Sequence, residues 1–142
     1  MIIGTGIDII KIDRFRNPNA RFLQRVFSVS EQAYLSTKGP ESMAGLFAAK
    51  EAVAKALGTG FAGFFPCEIE ILHNKNRKPY VKLHGKAKDI LRHLLIKKAT
   101  PRTLRMRRRC FTVHISISHS STDAIAFAVL EAQNCVCAFR GS

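Results

Sequence analysis

Three groups of residues in this 142-residue chain have the side chains to do chemistry. Glu51 and Lys55 stand four apart in Lys50-Glu51-Ala52-Val53-Ala54-Lys55-Ala56-Leu57-Gly58. On a helix that spacing puts a carboxylate and an ammonium on one face, one turn apart. Such a pair can divide a divalent cation and a phosphate between them. It can equally be an ordinary surface ion pair, stabilising by about 0.3–0.5 kcal/mol; the surrounding alanines favour burial and so the first reading. Asp8 lies inside the apolar run Gly6-Ile7-Asp8-Ile9-Ile10. A carboxylate there is costly to bury unless it is paired or bound to metal. It is either a hydrogen-bonded or exposed structural Asp, or a ligand for a hard cation such as Mg²⁺. The third group is Ser116-Ile117-Ser118-His119-Ser120, where a histidine at a strand end among hydroxyls can meet phosphate, act as a base, or simply be solvated. No Gly-x-Ser-x-Gly elbow accompanies it, so nucleophilic serine catalysis is not indicated.

These residues need elements to hold them. Ile2 to Ile12 reads as a first strand and residues 19–27 as a helix. Ser28 and Glu31 have capping-box spacing for a short helix ending near Ser36. A longer helix runs from Pro40 to Leu57, with small residues that let neighbouring backbones approach, and stops at Gly58. Glu68–Leu72 and Pro79–Leu83 predict a hairpin, and residues 85–96 an amphipathic helix with Ala87, Ile90, Leu91, Leu94 and Leu95 inward. Phe111–Ser118 alternates as a strand, and Ala124–Leu130 is a near-continuous apolar one. The expectation is an α+β fold, a small antiparallel sheet packed with helices, in one domain over 1–132. The basic stretch 97–109 reads as an insertion that extends a helix or forms an exposed loop, and 133–142 as a C-terminal tail.

The net charge is +13, with 23 basic and 10 acidic residues. Between Ile90 and Thr122 there is no acidic residue, while Arg92, Lys97, Lys98, Arg102, Arg105 and Arg107–Arg109 are basic. Such a surface attracts an acidic partner. One alternative is a basic nucleic-acid-binding module built on 97–109, but no aromatic residues interleave there. No apolar run is long enough to cross a membrane. Cys67, Cys110, Cys135 and Cys137 form no CxxC pair, which argues against zinc. Free thiols and the lack of a secretory signal predict a cytoplasmic protein.

Taken in order, Gly6-Ile7-Asp8-Ile9, Ile12, Arg14, Phe22, Arg25, Phe27-Ser28, Glu31, Phe47-Ala48-Ala49-Lys50-Glu51-Ala52, Lys55-Ala56-Leu57-Gly58-Thr59-Gly60, Lys78-Pro79 and Ser116-Ile117-Ser118-His119 resemble the holo-acyl-carrier-protein synthase family of 4′-phosphopantetheinyl transferases. The resemblance covers roughly residues 1–96 and 111–131. It implies Mg²⁺-dependent transfer of the phosphopantetheine arm of coenzyme A to a serine of an apo-acyl carrier protein, in fatty acid biosynthesis. It also implies a homotrimer with active sites between subunits. By the same resemblance Asp8 and Glu51 hold Mg²⁺, Lys55 meets the diphosphate, and Gly58, Ser118 and His119 contact coenzyme A. Either Glu51 or a water takes the serine proton. Arg14, Arg21 and Arg25 face the acidic carrier. The chain departs from the family at Leu46, where many members have arginine, so one phosphate or partner contact is missing. It also departs at Arg77, where glycine is usual and the hairpin turn must differ or tolerate strain.

Overall fold

Among the described residues, 1–97 and 109–134 of this computed structural model, five strands and four helices follow one another. They are β1 (Ile2–Lys11), α1 (Ala20–Val26), α2 (Val29–Leu35), α3 (Pro40–Ala56), β2 (Ile69–His73), β3 (Pro79–Leu83), α4 (Gly85–Lys97), β4 (Arg109–His119) and β5 (Asp123–Asn134). A short 3₁₀ turn, Ile12–Phe15, follows β1. The strands form an antiparallel sheet in the order β1-β5-β4 and a separate hairpin, β2-β3. This is the α+β arrangement that the patterning predicts. No helix among the described residues is long and apolar enough to cross a membrane.

The α3 helix lies across β1, β5 and β4. Small residues make this packing close. Ala44, Ala48, Ala49 and Ala52 of α3 are fully buried, as are Ala124 and Ala128 of β5. On β1, a Cβ added to Gly6 would stand 2.0 Å from the Ala52 carbonyl oxygen, and one at Gly4 equally close to that of Ala56. The strand therefore runs against the backbone of the helix, an approach that only glycine allows.

A second anchor holds α3 from its other side. Lys50 and Glu31 have fully buried side chains and pair at 2.8 Å. Lys50 Nζ also donates to the carbonyls of Pro66 and Ile69. Glu31 accepts from the amides of Ser28 and Ile71, both at 2.8 Å. Burial pushes the Lys50 pKa down, against the opposing pull of Glu31. Every lobe of the pair has a partner, which makes the burial tolerable; removal of one member of such a pair typically costs about 3–5 kcal/mol. The capping box at Ser28 and Glu31 forms as its spacing predicts.

Three local findings refine the sequence reading. First, β5 runs on to Asn134, paired with Arg109, so the chain past 132 is not all tail. Alternation continues there: Ala132 is buried while Gln133 is exposed. The polar character of Glu131-Ala132-Gln133-Asn134 hides that two-residue period. Second, Arg77 adopts φ +59°, the conformation for which glycine is suited. A non-glycine residue pays about 1 kcal/mol there. The Asn74 side chain offsets this by accepting from the amides of Asn76 and Lys78. Third, Leu46 is 2% exposed and packs in the core. The basic segment 98–108, the residues beyond 134 and the Leu95 side chain lie outside the described residues.

The face of the three-stranded sheet away from α3 carries large apolar side chains with little cover. Ile7 and Ile9 are 55% and 65% exposed, and Ile125 and Phe127 are 38% and 45% exposed. The β1–β5 register sets Ile7 opposite Phe127 and Ile9 opposite Ile125, so the four form one patch.

Gly6→Ala should lower stability by about 3 kcal/mol, because the new methyl must push β1 off the Ala52 carbonyl. The midpoint of urea unfolding measures this, and a midpoint equal to wild type would refute the close approach.

Candidate functional site

The glycine contacts of β1 bring Asp8 to the last turns of α3. Asp8 pairs with Ala126 in the sheet, and Ala126 is buried beneath α3, so Asp8 shares the helix-facing side. Lys55 Nζ donates to Asp8 Oδ1 at 2.8 Å and to the carbonyl oxygen of Ile7 at 2.9 Å. The Asp8 side chain is 16% exposed and that of Lys55 49%. Lys55 thus bonds across the strand–helix junction to Asp8 rather than along the helix to Glu51. The ordinary i,i+4 surface pair is not what forms.

Glu51 completes the cluster. Its pKa is pushed above the ordinary carboxylate value, first by burial and then by the negative charge of Asp8; Lys55 and Arg14 pull in the other direction. Two carboxylates and two cations therefore feel one another across β1, α3 and the 3₁₀ turn. Arg14 belongs with this cluster, although the family resemblance implied only a carrier contact for it. The signal was its distance of six residues from Asp8, but the sharp turn after Lys11 that brings it back is not visible in the sequence. Among the described residues, no third carboxylate, histidine or thiolate completes a larger metal-binding group. Two carboxylates with open solvent beside them suit Mg²⁺, which keeps waters and takes phosphate oxygens as further ligands.

Gly58 follows α3 with φ +82°, and nothing lies within 4 Å of where its Cβ would be. The site is therefore open just past Lys55. His119 pairs with Ala124, which pairs with Ile10, so it lies on the same sheet face as Asp8, one residue pair further along. It is exposed at the rim of a depression of about 290 Å³ that also includes Arg16, Ser120 and the first residue of α3, Pro40. Ser118 pairs with Ile125 and therefore occupies the opposite, apolar face. The structure separates Ser118 from His119, which sequence proximity had joined, because adjacent strand residues point to opposite sides.

Arg21 and Arg25 are on α1, beside a different depression of about 620 Å³ that is floored by Phe22, Val26, Phe47 and Phe65. Arg25 sits over the Phe65 ring, 6.0 Å from its centroid. Phe15, next to Arg14, packs on Phe22 and Phe47, so this depression adjoins the carboxylate cluster.

Residues 4–112 match the 4′-phosphopantetheinyl transferase superfamily. A holo-[acyl-carrier-protein] synthase from Clostridium beijerinckii is 45% identical over 137 residues, spanning 93% of this chain and 99% of that protein. The chain belongs to the holo-[acyl-carrier-protein] synthase family. The solved synthase from Bacillus anthracis, in complex with CoA (3′,5′-ADP), has a TM-score of 0.70 at 32% identity, covering 94% of this chain and 99% of that one. The Helicobacter pylori synthase in complex with coenzyme A has a TM-score of 0.69 at 30% identity, covering 89% and 99%. Membership of the synthase family displaces the nucleic-acid-binding alternative as the reading of the basic charge.

The raised pKa of Glu51 sets a sign. A carboxylate with a folded pKa above its unfolded value costs stability when ionised, and that cost disappears as pH falls to the unfolded value, about 4.3. Ligand-free Glu51→Gln should therefore melt higher than wild type at neutral pH, with the difference shrinking toward pH 4. Thermal unfolding at both pH values tests this; a lower melting point at neutral pH would contradict it.

Proposed function

We propose that this protein transfers the 4′-phosphopantetheine group of coenzyme A to a serine hydroxyl of apo-acyl carrier protein, releasing adenosine 3′,5′-bisphosphate, as a Mg²⁺-dependent step of fatty acid biosynthesis in the cytoplasm. The observation that carries the reading is the convergence of Asp8, Glu51, Lys55 and Arg14 in a chain of this family. Displacement at a diphosphate demands alignment and charge neutralisation more than a covalent intermediate. Asp8 and Glu51 are the residues to hold Mg²⁺, which, when bound, neutralises diphosphate charge. Lys55, half exposed at the end of the helix, binds the diphosphate and stabilises the charge that develops on the leaving group. Gly58 leaves room for the nucleotide at the helix end. His119 contacts coenzyme A phosphates from the strand end.

Carrier docking is assigned to the depression beside α1. Its aromatic floor takes an apolar side chain, and Arg21 and Arg25 at its rim pair with acidic residues, while Arg14, near Glu51, adds positive charge. Docking of this kind weakens with salt. The uncovered Ile7, Ile9, Ile125 and Phe127 patch supports self-association, since patches of large apolar residues mark interaction sites. We assign it to subunit contact in a homotrimer. Ser118, on that face, then reaches coenzyme A from the contact between copies.

Incubation with apo-carrier, coenzyme A and Mg²⁺ should add the mass of one phosphopantetheine to the carrier. Asp8→Asn and Glu51→Gln should each lower the rate by about 10²–10³ or more. No mass gain with wild type, or full rates in both variants, would overturn the assignment. Light scattering should give the mass of three chains, and Phe127→Lys should reduce it; a wild-type monomer would rule out the trimer.

A further inference from the structure

The ammonium of Lys55 occupies a place that the proposed reaction needs for something else. Its bonds to Asp8 Oδ1 and Ile7 O, at 2.8 and 2.9 Å, hold the carboxylate assigned to Mg²⁺. The diphosphate, to which Lys55 is also assigned, would draw it away. We infer that Lys55 is a stand-in cation: in the ligand-free enzyme it fills the cation position on Asp8, and it releases that position when the diphosphate of coenzyme A arrives to receive it. The inference rests on the carboxylate metal-site reading above and adds an order of occupancy to it.

Charge balance carries the argument. Asp8 and Glu51 bring two negative charges; Lys55 and Arg14 bring two positive ones within range of Glu51. The cluster is therefore neutral before any ligand binds. A divalent cation alone leaves it with an excess of two positive charges and must compete with an ammonium already bonded to Asp8. A diphosphate supplies the missing negative charge and gives Lys55 a new partner. The geometry permits the exchange, since Lys55 is 49% exposed on a flexible four-carbon stem, whereas Asp8 is 16% exposed and fixed in a strand. Gly58, three residues past Lys55, has nothing within 4 Å of where a Cβ would be. Cation and diphosphate then bind cooperatively, and each must strengthen the other by the same factor. The ammonium also keeps Asp8 neutralised and oriented while the site is empty, so the carboxylate does not repel Glu51 uncompensated.

The test follows Mn²⁺ alone, by the loss of the free-ion electron paramagnetic resonance signal, with no carrier and no turnover. Removing one positive charge about 5 Å from a divalent ion in water-like surroundings corresponds to about a tenfold change in affinity. Ligand-free Lys55→Met should therefore bind Mn²⁺ about tenfold more tightly than wild type, and Lys55→Gln should do the same if methionine perturbs the helix end. Added coenzyme A should strengthen Mn²⁺ binding less in these variants than in wild type. Asp8→Asn separates the two levels of the argument. If it binds Mn²⁺ as wild type does, the carboxylate site itself is wrong and the inference falls with it. If Asp8→Asn loses the ion while the lysine variants bind no more tightly than wild type, the metal site stands and the stand-in role is overturned. Undetectable binding in wild type and both lysine variants also overturns it.

Discussion

The contact between β1 and the backbone of α3 is the constraint on which the rest of the site depends. Gly4 and Gly6 let the strand lie directly against the carbonyls of Ala56 and Ala52. A Cβ at either position would stand 2.0 Å from a helix carbonyl oxygen and would force the two elements apart. Asp8, two residues beyond Gly6, then meets Lys55, one turn beyond Glu51. The alanines of α3 and β5 extend the same close packing across the sheet. Small residues here do not serve the core by filling it. They set a spacing, and that spacing is what makes a carboxylate on a strand and one on a helix into a single site.

The helix treats its adjacent charged residues in opposite ways. Lys50 turns inward to Glu31 and is fully buried, with carbonyls taking up its remaining donors. Glu51, about 100° further round, turns toward Asp8 at the solvent boundary. The first pair is saturated by the protein itself and fixes how α2, α3 and β2 fit together. The second cluster keeps a carboxylate with a raised pKa and a half-exposed ammonium bonded to Asp8. Only the second of these two is open to solvent.

The two faces of the three-stranded sheet divide the remaining work. The face under α3 buries the alanines of β5 and carries Asp8 and the exposed His119 toward its edge. The opposite face presents isoleucine and phenylalanine to solvent and carries Ser118. Ser118, expected at the nucleotide site, therefore lies on the same exposed apolar face as Ile125 and Phe127. The aromatic depression beside α1 adjoins the carboxylates through Phe15, so the proposed carrier surface and the proposed reacting centre are neighbours.

Much of this was legible in the sequence. Alternation located β4, the Ser28–Glu31 spacing identified a capped helix, and Gly58 marked the end of α3, since each signal is local and repeats with the period of its element. The ordered motifs, from Gly6-Ile7-Asp8 to Ser118-His119, pointed to the family. Other features depended on contacts between distant segments. Nothing in the spacing of Glu51 and Lys55 reveals that Lys55 prefers Asp8, 47 positions away. The burial of Lys50 and the reach of Arg14 to Glu51 are equally invisible there. Sequence determined which elements form and which chemical groups they carry, because those follow from local backbone preference and side-chain type. Tertiary structure alone decided which charges face each other, because Coulomb and hydrogen-bond energies depend on distance in space, and here that distance is set by two glycines lying against a helix.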